Sequence, residues 1–352
     1  GTKESRNISN AMVLVKLLII VLVIAVGIFH VDIDNWEPFM PNGFTGVMAG
    51  VSAVFFAYIG FDAVSTLAEE SKNPQRDLPR GMIYSLVICT VIYIILALVL
   101  TGMVSYTSLG VSDPLAEIFK SKGIKWMLFI VSIAAVVAMT SVMLVFQMGQ
   151  PRIWMSMSRD GLLPKRFASI HPRFKTPGFS TIITGLVVGI PIFFTDENFV
   201  LDFTSIGTLF AFVLVCGGVL TLPRNTDAKV KGKFRMPYVN AKWIVPVITI
   251  VGMILVFMKA SEIFYIVDEV AKTTSFNYPM IIFFFVWALV AVFSFIRNYS
   301  LIPVLGVLSC CYLLTGMGWK NWVMFLIWLL IGLAVYLLYG YKNSKLNTQN
   351  KN

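Results

Sequence analysis

The chain has 352 residues, 57% of them apolar and 13% charged, with a formal net charge of +10 and a mean hydropathy of +0.81. Soluble domains run at about 45–50% apolar and about 25% charged, so this composition excludes a soluble globular protein, a disordered chain and a disulfide scaffold. What fits is an all-α polytopic membrane protein, with room for about ten spans at roughly 30–35 residues per span and loop.

The chain opens on Gly1 without a basic stretch leading to an apolar core and a small-residue cleavage site, so no signal peptide is legible and the start reads as an interior cut. Apolar segments then follow at 11–29, 46–68, 80–104, 125–150, 178–195, 200–222, 243–262, 278–297, 301–317 and 320–341. The whole of 1–352 reads as a single transmembrane domain, since its longest polar stretch, 151–177, is too short for a further domain.

The first segment carries Lys16 in NAMVLVKLLIIVLV, roughly 9 Å into the span. A charge at a helix centre costs about 2.5–3.5 kcal/mol on insertion scales. Two readings stand side by side. A lysine at this depth can snorkel to the interface. A desolvated lysine away from carboxylates gives up its proton more readily, which suits proton coupling.

The second segment contains VFFAYIGFDAVSTLAEE. Gly60 interrupts the apolar run, Asp62 follows it, and Ser65 and Thr66 come next at membrane depth. Membranes tolerate unpaired backbone groups only around a water-filled cavity or a ligand. A half-helix N-terminus at such a break suits a carboxylate. Asp62 therefore reads as an N-cap, as a titratable coupling group, or as both. The aromatics Phe55, Phe56, Tyr58 and Phe61 around the break suit lipid contact or a gate.

Farther on, Thr140 and Ser141 lie adjacent within an apolar helix, where hydroxyls either bond back to the preceding turn or join helices. Gly217 and Gly218 permit close helix packing. Residues 151–177 mix basic and apolar side chains between Pro151 and Pro164, which predicts an interfacial helix stopped by Gly161 and Pro164. The basic loop 223–242 lacks helical periodicity.

Lys and Arg set the orientation. With residues 1–10 and the tail 342–352 cytoplasmic, 21 of these cations fall inside and six outside, leaving Lys16 in a span. The net charge is then topology and lipid contact, not nucleic-acid binding. The four cysteines sit in apolar runs without metal spacing and read as small buried hydrophobes. Two histidines lie far apart outside the spans. No catalytic constellation, metal site or cofactor is indicated, which argues against a membrane enzyme.

Residues 55–82, FFAYIGFDAVSTLAEESKNPQRDLPRGM, resemble the signature region of the amino acid–polyamine–organocation (APC) superfamily, and within it the cationic amino acid transporter-like family with its bacterial homologues. QPRIWMSMSRDGLLPKRF at 150–167 is similar to that family's cytoplasmic loop after the eighth helix, and KES near the start and MPYVNAKWIVP at 236–246 also fit. The resemblance implies a LeuT-like fold of two inverted five-helix repeats with paired broken helices. Members carry fourteen helices, so the ten segments correspond to the fifth to fourteenth, with four helices upstream absent. Matching positions imply that Phe56, Ala57, Ile59 and Gly60 line the substrate site. They also imply that Asp62 takes part in proton coupling. Lys16 stands where sodium sits in sodium-coupled relatives, with Thr140 and Ser141 facing it.

The expected function is proton-coupled uptake of an L-amino acid across the plasma membrane by alternating access, with the bilayer, the amino acid and H+ as partners. Exchange or sodium coupling is the alternative within the same fold. A truncated, non-transporting remnant or subunit is the alternative outside it.

Overall fold

A computed structural model describes residues 2–111, 113–173, 176–222, 237–258 and 278–345. The regular structure among the described residues is helical, apart from an isolated bridge between Asn240 and Ser300. All ten predicted apolar segments have a helical counterpart. By length and composition, seven described helices suffice to cross a membrane, and Gly178–Ile192 and Leu301–Thr315 are shorter apolar helices. The seventh segment is described only over Ile244–Met258. The remainder of that segment, and residues 223–236 of the second basic loop, lie outside the described residues. This is a multi-pass, all-α membrane fold.

The chain divides into two compact units. The first holds residues 1–47, 60–195 and 330–352. In it, α1 (Thr2–Ile28) packs on α3 (Pro74–Met103) and α5 (Lys125–Arg159). Their shared core is Val23, Val99, Met103, Phe119, Met127 and Val131, with the short α4 (Pro114–Ser121) supplying Phe119. A side chain at Gly27 would run into Val99, so the glycine lets α1 and α3 approach closely. The turn after α1 is pinned to the end of α3: the Asp32 amide and Asn35 Nδ2 both donate to the Gly102 carbonyl at 2.8 Å. Trp36 Nε1 donates to Thr101 Oγ1 at 3.2 Å.

Helix α5 has 35 residues, about 52 Å at 1.5 Å per residue, well beyond a hydrocarbon core of roughly 30 Å. The segment after Pro151, read from sequence as a separate interfacial helix, is its direct continuation to Arg159. Pro151 is buried within the helix. The stop comes where expected: Asp160 caps the helix and Gly161 turns out of it at φ +85°. Ser158 Oγ then bonds the Pro164 carbonyl at 2.7 Å. From there Phe167 stacks edge-on between Trp154 and Phe179, the latter on α6 (Gly178–Ile192).

The chain's C-terminal segment closes on this turn. A π-helical turn at Tyr336–Gly340 leads into Tyr341–Asn343. The Lys345 amide donates to the Asp160 carbonyl at 3.1 Å, and Ser344 is buried. The Asn343 carbonyl occupies the space a side chain at Gly161 would need.

The second unit holds residues 48–59 and 196–329. Here α7 (Glu197–Thr221) packs along α10 (Leu301–Thr315), with Cys216 Sγ filling the space beside Gly306. Ile206, Leu209, Cys310, Leu314 and Phe325 form its core, Phe325 coming from α11 (Trp319–Val335). A second cluster of Ala241, Val245, Ala291 and Val304 joins α8 (Ile244–Met258) and α9 (Tyr278–Arg297) to α10. Cys310 is buried and the other three cysteines are half-buried, all of them free thiols.

Two glycines separate conformational need from mere presence. Gly161→Ala combines a positive φ with a collision at Asn343, and costs more than about 1 kcal/mol. Its detergent-solubilised thermal midpoint is expected to fall. Gly185→Ala, where an added methyl meets nothing within 4 Å, leaves the midpoint unchanged or raises it.

Candidate functional site: a broken helix and a hydrogen-bonded lysine

The helix that begins as α2 (Gly43–Val54) loses its α geometry at FFAYIGFD. Phe55–Tyr58 tightens into a 3-10 turn, and Ile59 is extended at φ −61°, ψ 132°. Gly60 takes φ +123°, a conformation that glycine adopts without the penalty a Cβ brings. Winding resumes over Phe61–Glu70 as 3-10 helix, whose hydrogen bonds are poorer than those of an α-helix.

Local bonds satisfy this break. The Ile59 amide donates to the Phe56 carbonyl at 3.1 Å, and the Ala63 amide to the Gly60 carbonyl at 3.1 Å. The Gly60 amide donates to Asp62 Oδ1 at 3.1 Å. Asp62 thus reaches backward and closes the break, in place of the forward N-cap of the following half-helix that sequence suggested. Ser65 Oγ donates to the Asp62 carbonyl at 2.6 Å. The side chain of Thr66 lies outside the described residues.

The division between the two units falls between Ile59 and Gly60. Phe56 is 38% exposed, Ala57 is exposed and Ile59 is half-buried, all three within the second unit. Gly60 and Asp62, both half-buried, belong to the first. Of the four aromatics around the break, Phe55 packs edge-on against Phe212 at 6.4 Å, joining the core of the second unit. It is a packing residue, not part of a gate.

Lys16 does not reach for water. It is half-buried, and its Nζ donates to Ser141 Oγ at 3.2 Å across α1 and α5. Ser141 is 2% exposed. The adjacent Thr140 takes no part: it is exposed, and its hydroxyl donates to the Val136 carbonyl of its own helix at 2.8 Å. The polar pair therefore splits, Ser141 joining helices and Thr140 bonding back. This corrects the expectation that both face the lysine. A period of 3.6 points consecutive residues about 100° apart, so only one of them can face α1.

One interhelical polar contact is not evident from sequence. Asn321 Nδ2 donates to Asp202 Oδ2 at 2.6 Å, joining α11 to α7. Asp202 lies five residues after Glu197, where its helix starts. A carboxylate inside the apolar run 200–222 is the signal that marks it. Among the described residues, no group of three His, Cys, Asp or Glu side chains is placed to hold a metal ion.

The geometry separates the roles of Gly60 and Asp62 in folding. Gly60→Ala strains the backbone at φ +123°, and is expected to lower the thermal midpoint and the yield of monodisperse protein. Asp62→Asn keeps an oxygen that accepts from the Gly60 amide, and is expected to retain both. Equal midpoints for Gly60→Ala and wild type would contradict this account.

Comparison with known proteins gives the chain its family. Residues 1–290 match the family described as amino acid permease, and residues 299–344 match the family described as the C-terminus of amino acid permease. The chain is 38% identical over 347 residues to the methylthioribose transporter of Bacillus subtilis (strain 168), covering 99% of this chain and 62% of that protein. It is 36% identical over 348 residues to the branched-chain amino acid permease BcaP of the same strain, covering 99% and 62%. To the chloroplastic cationic amino acid transporter 9 of Arabidopsis thaliana it is 35% identical over 348 residues, covering 97% and 60%. The chain thus spans about three fifths of the length of these relatives. With permease matches over residues 1–290 and 299–344, this chain belongs to the amino acid permease family of the APC superfamily.

Proposed function

We propose that the chain forms part of a secondary active transporter that moves an L-amino acid across the plasma membrane, coupled to protons, by alternating access. The permease match along 1–290 and 299–344 carries the transport reading. The Lys16–Ser141 hydrogen bond supports the coupling reading. An ammonium held there takes the place of a free cation, and this argues against sodium. Transport needs a free energy that differs between the inward- and outward-facing states. In this reading, loss and regain of the proton on Lys16 supplies that difference, with Asp62 as the second titratable group beside the break.

Phe56, Ala57, Ile59 and Gly60 form the substrate-lining stretch. The names of the relatives span a branched-chain amino acid, methylthioribose and cationic amino acids, so they do not select a substrate. The residues favour a neutral side chain. The stretch is apolar, and the carboxylate next to it already accepts from the Gly60 amide. A buried guanidinium without a partner is costly.

The decisive assay is uptake driven by a pH gradient into proteoliposomes holding the whole gene product. Alanine and branched-chain amino acids are expected to accumulate more than arginine. Lys16→Met and Lys16→Arg are both expected to abolish accumulation, since neither side chain can cycle a proton near neutral pH. Asp62→Asn is expected to impair accumulation without loss of folded protein. Accumulation at wild-type level by Lys16→Met removes Lys16 from the mechanism. Arginine uptake equal to alanine uptake contradicts the neutral pocket.

The basic bias supports an orientation in which residues 1–10, 151–177 and the C-terminus are cytoplasmic. A membrane-impermeant thiol reagent applied to intact cells is expected to miss a single cysteine placed at Lys165. Strong labelling there overturns the orientation.

A further inference from the structure

Beyond its bond to Ser141, Lys16 lines a cavity of about 210 Å³ within the first unit. The cavity follows α1 from Lys16 to Val23, about 10 Å along the helix axis. On the α5 side its wall includes Ala134 and Ala138. These lie seven and three residues before Ser141, on one stripe of the helix. At the start of α4 the wall is completed by Asp113 and Leu115. Asp113 is exposed, and its Oδ1 accepts from the Ala116 amide at 3.1 Å.

Lys16 and Asp113 are the charged groups among the described lining residues; α3 and α5, packed against α1, add only apolar side chains. A wholly apolar cavity of this size would stay dry, but a polar group at each end gives water a partner there. One end offers an ammonium with three donors, of which Ser141 engages one. The other offers an exposed carboxylate. The alanines keep the space between them open.

We propose that this cavity is the hydrated route by which Lys16 exchanges its proton with the side of the membrane bearing Asp113, the outer side in the orientation above. The inference rests on the reading of Lys16 as the proton carrier. In release, the N–H bond of the ammonium breaks and a cavity water takes the proton. Successive waters pass it on to the Asp113 carboxylate, which gives it to solvent. Uptake runs the same steps in reverse, leaving no net change in the relay. Asp113 is then the proton relay at the mouth, and small side chains at 134 and 138 are a condition of the route.

The test uses the whole gene product with Cys89, Cys216, Cys310 and Cys311 replaced by serine. In intact cells, Ala138→Cys is expected to react with a membrane-impermeant cationic thiol reagent applied from the Asp113 side. In proteoliposomes, Asp113→Asn keeps the cap on α4 and is expected to slow proton-driven uptake on the order of tenfold. Glu117→Gln, an exposed carboxylate one turn farther along and paired with Lys120 at 3.3 Å, is the control expected to match wild type. Thermal midpoints in detergent check that each variant is folded. An unreactive Ala138→Cys, or wild-type uptake by folded Asp113→Asn, overturns the route. Wild-type accumulation by Lys16→Met alongside a reactive Ala138→Cys gives a different failure: the cavity is wet, but the lysine it serves is not the carrier.

Discussion

Within a bilayer there is no water to receive a backbone hydrogen bond, so each amide and carbonyl must find its partner inside the chain. The architecture follows from that constraint. It explains why the described residues are almost entirely helical. It also explains why the interruption of winding at 55–62 is closed by bonds to Phe56, Gly60 and Asp62. A break in a soluble helix would be completed by solvent. Here a glycine supplies the backbone freedom and a carboxylate two residues later supplies an acceptor, and the two functions need each other.

The same constraint sorts the hydroxyl groups. Thr90, Thr140, Thr184, Ser205, Thr208 and Thr249 all bond to a carbonyl four residues earlier, on their own helix. Such bonds satisfy a polar atom without joining helices. Few side chains bridge instead: Lys16 to Ser141, Asn321 to Asp202, and Trp287 Nε1 to Thr249 Oγ1 at 2.9 Å. In an apolar medium, helices are held mainly by close packing. The bridging bonds therefore carry specificity out of proportion to their number, and two of them, at Lys16 and at Asp202, include an ionisable group.

Much of this is legible in the residues. Hydropathy locates the apolar helices among the described residues, because a run of about 20 apolar residues matches the thickness of a bilayer and is rare in soluble chains. The GFD string locates the break, since glycine and aspartate at membrane depth are costly without a purpose. The motif resemblance points to the permease family that the comparisons then establish. What is not legible depends on helix phase and on contacts distant in sequence. Nothing local tells Ser141 from Thr140. Only the placement of α1 against α5 decides which one meets the lysine. Pro151 suggests a new helix, yet a proline within a membrane helix is tolerated where its neighbours satisfy the freed carbonyl. Asp202 stands out within its apolar run, but its partner Asn321 is 119 residues away and nothing local points to it. The approach of Lys345 to Asp160 joins positions 185 residues apart and leaves no periodic trace.

The length of α5 has a mechanical consequence. Ser141 sits 18 residues before Arg159 on an unbroken helix, a lever arm of about 27 Å. If the rod tilts by roughly 5° about its contact with Lys16, its far tip moves by about 2 Å, comparable to the margin within which a hydrogen bond survives. The tip is where Asp160 receives the Lys345 amide. A tilt of that size about the lysine contact is enough to make or release the contact at the helix tip, so a long stiff helix carries a small rotation at one hydrogen bond to the end of the chain.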